Sequence, residues 1–119
     1  IPVSVGELFD KITILEIKSQ HITSPFITKE LNLLDKVAQK LDANYKKDTH
    51  YKKLLKVNKQ LWDIEDGKRN HERNKDFGEK FIQLARQVYI QNDERAKFKK
   101  AINKKYNSDI VELKSHKKY

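Results

Sequence analysis

Between Val5 and Ile22 the apolar positions Val5, Leu8, Phe9, Ile12, Leu15 and Ile22 recur at helical spacing, which predicts a helix with one apolar face. Ile14 and Ile17 fall well round the other side of the same helix. A helix that is apolar on more than one side is usually surrounded by others. Its start is well marked. Ser4 can accept from the Glu7 amide, the Glu7 carboxylate can reach back to the Ser4 amide, and Val3 can close over Leu8, a capping box with its hydrophobic staple. The rest of the chain is expected to assemble around this element.

Thr23-Ser24-Pro25 supplies a turn and a new start, with Ser24 as cap and Pro25 in the first helical position. The second helix runs to about Asp42, and Ile27, Leu31, Leu34, Val37, Ala38 and Leu41 form a single stripe for burial. So short a connection makes the first two helices antiparallel neighbours. After a polar connector in which Asp48 or Thr49 can cap, a third helix over about 50–74 begins with Tyr51, Leu54, Leu55, Leu61 and Trp62 on one face. The stripe then turns ionic: Asn58 lies inside it, and Glu65, Arg69 and Glu72 extend it. Those charges either stand in water on an overhang or meet partners in a partly buried cluster.

Asp76-Phe77-Gly78-Glu79 reads as a second capping box, starting a fourth helix at Phe77 that carries Phe81, Leu84, Ala85 and Val88 inward. At Asn92-Asp93-Glu94-Arg95 that helix either continues or breaks before a fifth segment to about Tyr106. Ile110, Val111 and Leu113 give the C-terminal stretch something to bury and predict a short tail packed back on the bundle, with His116 to Tyr119 fraying. There is no internal repeat, no low-complexity linker and no sustained alternation of β-branched residues. The expected fold is all-α: a single domain over residues 1–119, built as a bundle of four or five helices.

Composition narrows the function classes. A chain of 119 residues can bury a core without disulfides or metal, and the lack of cysteine excludes a disulfide framework and thiolate chemistry, which fits a reducing, cytoplasmic setting. The longest apolar runs are only a few residues, so neither a membrane span nor a signal segment is expected. The net charge of +9 is uneven: residues 1–45 hold five basic and six acidic side chains, residues 46–119 twenty-one and eleven. Such an excess permits association with nucleic acid or another polyanion; lysines merely solvating helix faces produce the same arithmetic. Lys52, Lys56 and Lys59 form one row and Lys97, Lys100 and Lys104 another. Tyr45, Tyr51, Tyr89, Tyr106 and Tyr119 lie among these basic segments, where they could stack on unpaired bases. Without an Arg-rich recognition helix or an aromatic RNP-type signature, sequence-specific base readout is not expected.

Catalytic motifs are absent: no glycine-rich phosphate loop, no His-Glu-x-x-His pair, no serine elbow. His21, His50, His71 and His116 have no ligand spacing and are expected at the surface, so neither metal nor cofactor is expected through them. Glu65, Asp66 and Glu72 with Asp93 and Glu94 form a weaker candidate carboxylate set for magnesium, off the paired-acid spacing of all-α pyrophosphatases. A different constellation points inward. Glu16 lies within the apolar face of the first helix, Glu65, Arg69 and Glu72 continue the third helix's stripe, and Arg95 lies on the core side of the last long segment. These are expected to meet in a charged cleft, Glu16 or Glu65 pairing Arg95, where a small anionic ligand would find Arg69 and Arg95. Structural salt bridging alone would give the same pattern.

The opening Ile1-Pro2-Val3-Ser4-Val5-Gly6-Glu7-Leu8, the run Asp10 to Lys18, Leu61-Trp62 with Glu65, Asn92 to Ala96 and the closing Ile110 to Ser115 resemble a family of small bacterial proteins known as a domain of unknown function. The resemblance spans nearly the whole chain and implies no established activity; some relatives occur beside or fused to glycosyltransferase-like proteins of surface-polysaccharide assembly. Two functional expectations stand. One is a binding module for nucleic acid or another polyanion through the C-terminal two thirds. The other is an accessory domain in glycan assembly that takes a phosphorylated sugar or a protein partner at the charged cleft.

Overall fold

The computed structural model describes residues 3–106. Four helices, α1 Val5–His21, α2 Pro25–Leu41, α3 Thr49–Arg73 and α4 Glu79–Lys105, are joined by short connections, with a 3-10 turn at Tyr45–Lys47 between α2 and α3. Among the described residues there is no strand. The expected C-terminal tail lies outside them.

Three of the four starts are set by local chemistry. Ser4 Oγ accepts from the Glu7 amide at 3.1 Å, Ser24 Oγ from the Phe26 amide at 3.2 Å, and Asp48 Oδ1 from the amides of His50 and Tyr51 at 2.8 and 3.1 Å. Val3 stays 59% exposed, so the expected staple buries little.

The fourth start differs from the expected capping box. Here α3 closes in a Schellman turn, in which the Lys75 amide donates to the Glu72 carbonyl at 3.1 Å and the Asp76 amide to the His71 carbonyl at 2.9 Å. Lys75 takes the left-handed conformation, φ 51°, that this closure requires. Asp76 is thereby committed to ending α3, its carboxylate accepts from the Gly78 amide at 3.3 Å, and α4 begins at Glu79, not Phe77. From there α4 runs unbroken through Asn92, because nothing in 92–95 removes a backbone donor or forces a turn, and the described residues form four α-helices.

The two-sided apolarity of α1 has the expected consequence: it packs against α2, α3 and α4, and Leu8, Phe9, Ile12, Leu15 and Ile17 are all buried. Among the described elements the neighbours of α2, by contrast, are α1 and the 3-10 turn. Its stripe is wider than the surface on offer, so Ala38 is buried and Ile27, Leu31 and Leu34 are half-buried, while Val37 and Leu41 remain exposed, contrary to the expectation of one buried stripe. Ala85 is exposed too, since among the described elements the early part of α4 has α3 alone beside it. The helices α3 and α4 have 25 and 27 residues against 17 in α1, roughly 40 Å against about 25 Å at 1.5 Å per residue. His21, the last residue of α1, stacks on Trp62 with ring centroids 4.7 Å apart, so the α3–α4 hairpin projects beyond that level.

The core has an aromatic end. Phe9 contacts Tyr45, Tyr51 and Tyr106 at centroid distances of 5.2, 5.8 and 5.3 Å, two of them edge-on. The phenol of Tyr45 donates to Asp35 at 2.5 Å and that of Tyr106 to Asp42 at 2.8 Å, which ties α2 to the 3-10 turn and to the end of α4. Asp48, the α3 cap, also receives Lys105.

At the start of α1, Gly6 lets two backbones meet: its amide donates to Asn103 Oδ1 at 2.6 Å, and a Cβ there would sit 2.6 Å from the Lys99 carbonyl oxygen. Gly67 is looser, since a Cβ would meet only the end of Leu84, at 3.1 Å. Gly6→Ala is therefore expected to cost about 1–3 kcal/mol. Gly67→Ala is expected within about 1 kcal/mol of the parent, because the gain in helix propensity offsets the shift of Leu84. Urea unfolding of the two variants checks the contrast.

Candidate functional site

On α1, Gly6, Asp10, Thr13 and Ile17 stand at i, i+4, i+7 and i+11, a second face opposite Leu8 and Leu15. This face meets α3 and α4, and it carries Asp10, a carboxylate only 3% exposed. Arg95 of α4 grips it with two bonds, Nε to Oδ1 at 2.8 Å and Nη2 to Oδ2 at 2.5 Å. From α3, Asn58 Nδ2 donates to Asp10 Oδ1 at 2.9 Å and to Thr13 Oγ1 at 2.7 Å, while the Thr13 hydroxyl donates to the Asp10 carbonyl at 2.7 Å. Lys99 bonds Glu7 and lies 4.0 Å from Asp10. The other two helices of the junction, α3 and α4, thus satisfy the one buried charge of α1.

The expected partner of Arg95 was Glu16 or Glu65; it is Asp10. Glu16 lies about a third of a turn round α1 from Asp10 and pairs with Lys46 at 3.1 Å. Glu65 pairs with Lys68, one turn on, at 3.6 Å. Asp10 was missed although a signal existed, since it falls between Ile14 and Ile17 on the second apolar side of α1.

Where α1 ends and the hairpin continues, the three helices leave a cavity of about 220 Å³. Ile14 and Ile17 of α1, Leu61, Trp62, Glu65, Asp66 and Arg69 of α3 and Arg95 of α4 line it, with Asn58 at the inner end. Of the five residues expected in the charged cleft, Glu65, Arg69 and Arg95 are brought together; Glu16 and exposed Glu72 do not line it. Arg95 links the cavity to Asp10. Arg69 is exposed and has no ion pair among the described residues. The Trp62 indole Nε1 is buried without a hydrogen-bond acceptor. An unmet buried donor, two guanidinium groups and two carboxylates over an apolar floor suit a small ligand that is both hydroxylated and anionic. Among the described residues no three His, Asp or Glu side chains could hold a metal, so the carboxylate set weighed for magnesium does not assemble.

The lysine rows lie elsewhere. Lys52, Lys56 and Lys59 are exposed along the outer face of α3 and Lys97, Lys100 and Lys104 along that of α4. The tyrosines do not accompany them. Tyr45 and Tyr51 are buried and Tyr106 is packed on Phe9, so these rings cannot stack on bases; Tyr89 is exposed, and Tyr119 lies outside the described residues. Burial, ahead of the Asp42 hydrogen bond, pushes the Tyr106 phenol up to about 12, and burial likewise raises Tyr45 and Tyr51. The Asn44 amide and then the Tyr106 hydroxyl hold Asp42 below the ordinary carboxylate range.

The chain belongs to the DUF6165 family, a family of unknown function, whose model matches residues 1–118. No curated protein and no solved structure matches it.

Two stability measurements probe this arrangement. Arg95→Ala is expected to lower the unfolding free energy by about 3 kcal/mol, near the low end for a broken buried pair, because Asn58 and Lys99 stay beside Asp10. Asp10→Asn is expected to cost less, as half-exposed Arg95 regains water; urea titrations rank the two. The phenol shifts set an alkaline limit. A fold that holds its tyrosines neutral keeps their contribution below pH 10, the ordinary tyrosine value, and loses it as pH rises through about 12, which circular dichroism melts and tyrosinate absorbance should register together.

Proposed function

We propose that this member of the DUF6165 family is a binding module whose ligand is a sugar phosphate held in the cavity between α1, α3 and α4. One observation carries the reading: Arg69, without an ion pair among the described residues, and Trp62, whose buried indole Nε1 has no hydrogen-bond partner among them, line the same concavity. Arg69 would take the phosphate, with the outer edge of Arg95 beside it. Glu65, Asp66 and Asn58 would receive and supply the hydroxyl hydrogen bonds, and Ile14, Ile17 and Leu61 would lie against the ring. A volume of about 220 Å³ is below the usual range of drug-sized sites, which favours a monosaccharide over an oligosaccharide.

A second reading rests on a separate observation. The six lysines of the two rows are exposed, and none is in an ion pair among the described residues, so their charge is available to a polyanion. Burial of Tyr45 and Tyr51 and the packing of Tyr106 on Phe9 leave Tyr89 as the exposed ring among the described tyrosines, so electrostatics is the main support for that reading.

One pair of titrations tests both. Trp62 is the sole tryptophan, so its emission reports on the cavity directly. A hexose 1-phosphate is expected to change it saturably, the free hexose much less, and Arg69→Gln is expected to weaken binding about tenfold, the loss of one charge-assisted hydrogen bond, without moving the melting temperature. Emission that stays flat to millimolar hexose phosphate removes the cavity reading. Fluorescence anisotropy of labelled single-stranded RNA across a salt series tests the other: affinity that falls steeply with salt and drops on Lys97→Gln, Lys100→Gln and Lys104→Gln supports it, and no binding at low salt ends it.

A further inference from the structure

The outer face of α2 is apolar and, among the described residues, uncovered. Phe26, Leu33, Val37 and Leu41 step by seven, four and four residues along one side and are 81%, 57%, 48% and 50% exposed, with Ile22, 47% exposed, just before the helix. A contiguous run of this kind on a surface marks a contact. Along one flank of the stripe run Lys29, Lys36 and Lys40, all exposed and none in an ion pair among the described residues. The acidic side chains of α2 are engaged: Glu30, on the stripe itself, pairs with Lys11 at 3.3 Å, and Asp35 accepts from Tyr45 and, at 2.8 Å, from Gln39. The face therefore presents exposed apolar side chains bordered by unneutralised positive charge.

We infer that α2 is a peripheral membrane-binding face that lies flat on an anionic lipid surface. An aromatic and aliphatic stripe bordered by lysines is the pattern of a helix seated at the headgroup boundary, with apolar side chains below and ammonium groups among the phosphates. The lysine stems reach along the apolar surface while their heads stay with the lipid phosphates. No described helix is long and apolar enough to cross a membrane, so the contact is with the surface only. Charge selects this occupant over a second copy of the chain, which would bring the same lysine row, Lys29, Lys36 and Lys40, to face its own. The face shares no residue with the cavity lining, so the inference stands apart from the sugar-phosphate reading.

Flotation of the full chain with vesicles tests it. The chain is expected to rise with vesicles of phosphatidylcholine and phosphatidylglycerol in equal parts and to stay behind with phosphatidylcholine alone. Phe26→Ser combined with Leu33→Ser should cut the bound fraction by at least about fivefold. Lys29→Gln, Lys36→Gln and Lys40→Gln together should do the same, whereas Lys52→Gln, Lys56→Gln and Lys59→Gln should leave it unchanged. All these positions are exposed, so far-ultraviolet circular dichroism should match the parent. The chain has no cysteine, so an environment-sensitive dye on Phe26→Cys reports insertion at one site, and its emission should shift to the blue only with anionic vesicles. Absence of flotation with anionic vesicles overturns the inference. So does equal loss from both lysine sets, which would mean attraction by net charge alone, and so does a dimer dissociated by the Phe26 and Leu33 changes in a chain that ignores vesicles.

Discussion

A carboxylate buried at a three-helix junction constrains everything around it. Asp10 lies where water cannot serve it, so the two oxygens must be met by the protein, and Arg95 and Asn58 do so from two different helices. Three contacts between α1 and α4 then fall into line: Gly6 with Asn103, Glu7 with Lys99, Asp10 with Arg95. They advance along one helix as they retreat along the other, which is the antiparallel register of the pair. Sliding α4 by one residue would break all three and leave the charge stranded. The net stability of such an ion pair over well-packed apolar residues is small; its geometric consequence is that one alignment is acceptable and its neighbours are not.

The opposite end of α1 shows what unequal helix lengths do. A short central helix between two long ones must run out before they do, and the space it vacates is lined by whatever the longer helices and its own last turns present. Here that is Ile14 and Ile17 from α1 and the ionic continuation of the α3 stripe. Of the alternatives at the level of sequence the overhang describes these charges: Glu65 pairs within its helix with Lys68, and Arg69 and Glu72 are exposed, although Glu65 and Arg69 also line the cavity. Arg95 belongs to both regions, since one edge of its guanidinium is committed to Asp10 and the side chain also lines the cavity. Its position at the site is set by the same contact that sets the fold.

The remaining surface divides by element. The outer faces of α3 and α4 carry lysine with little aromatic company, Tyr89 apart, because Tyr45, Tyr51 and Tyr106 close the core around Phe9. On the outer face of α2, apolar residues and lysines run side by side, because among the described residues that helix has neighbours on one side and its apolar arc is broader than they cover.

Local chemistry determined much of this protein. The caps at Ser4, Ser24 and Asp48 are legible because a cap needs only a side chain and amides within three residues of it, and the central place of α1 follows from apolar residues on two of its sides. Even Asp10 stood on a legible face, with Gly6, Thr13 and Ile17. Periodicity says which face a side chain occupies but not what stands opposite, and that is where tertiary structure decided. The choice of Asp10 over Glu16 or Glu65 for Arg95 depends on the rotation and crossing of helices 85 residues apart in the chain. Tyr45 and Tyr106 could serve a surface or a core until Asp35 and Asp42 were placed to receive their hydroxyls. At Asp76 two local signals competed, a new cap and the closure of the helix before it, and the closure prevailed because it satisfies carbonyls already committed to α3.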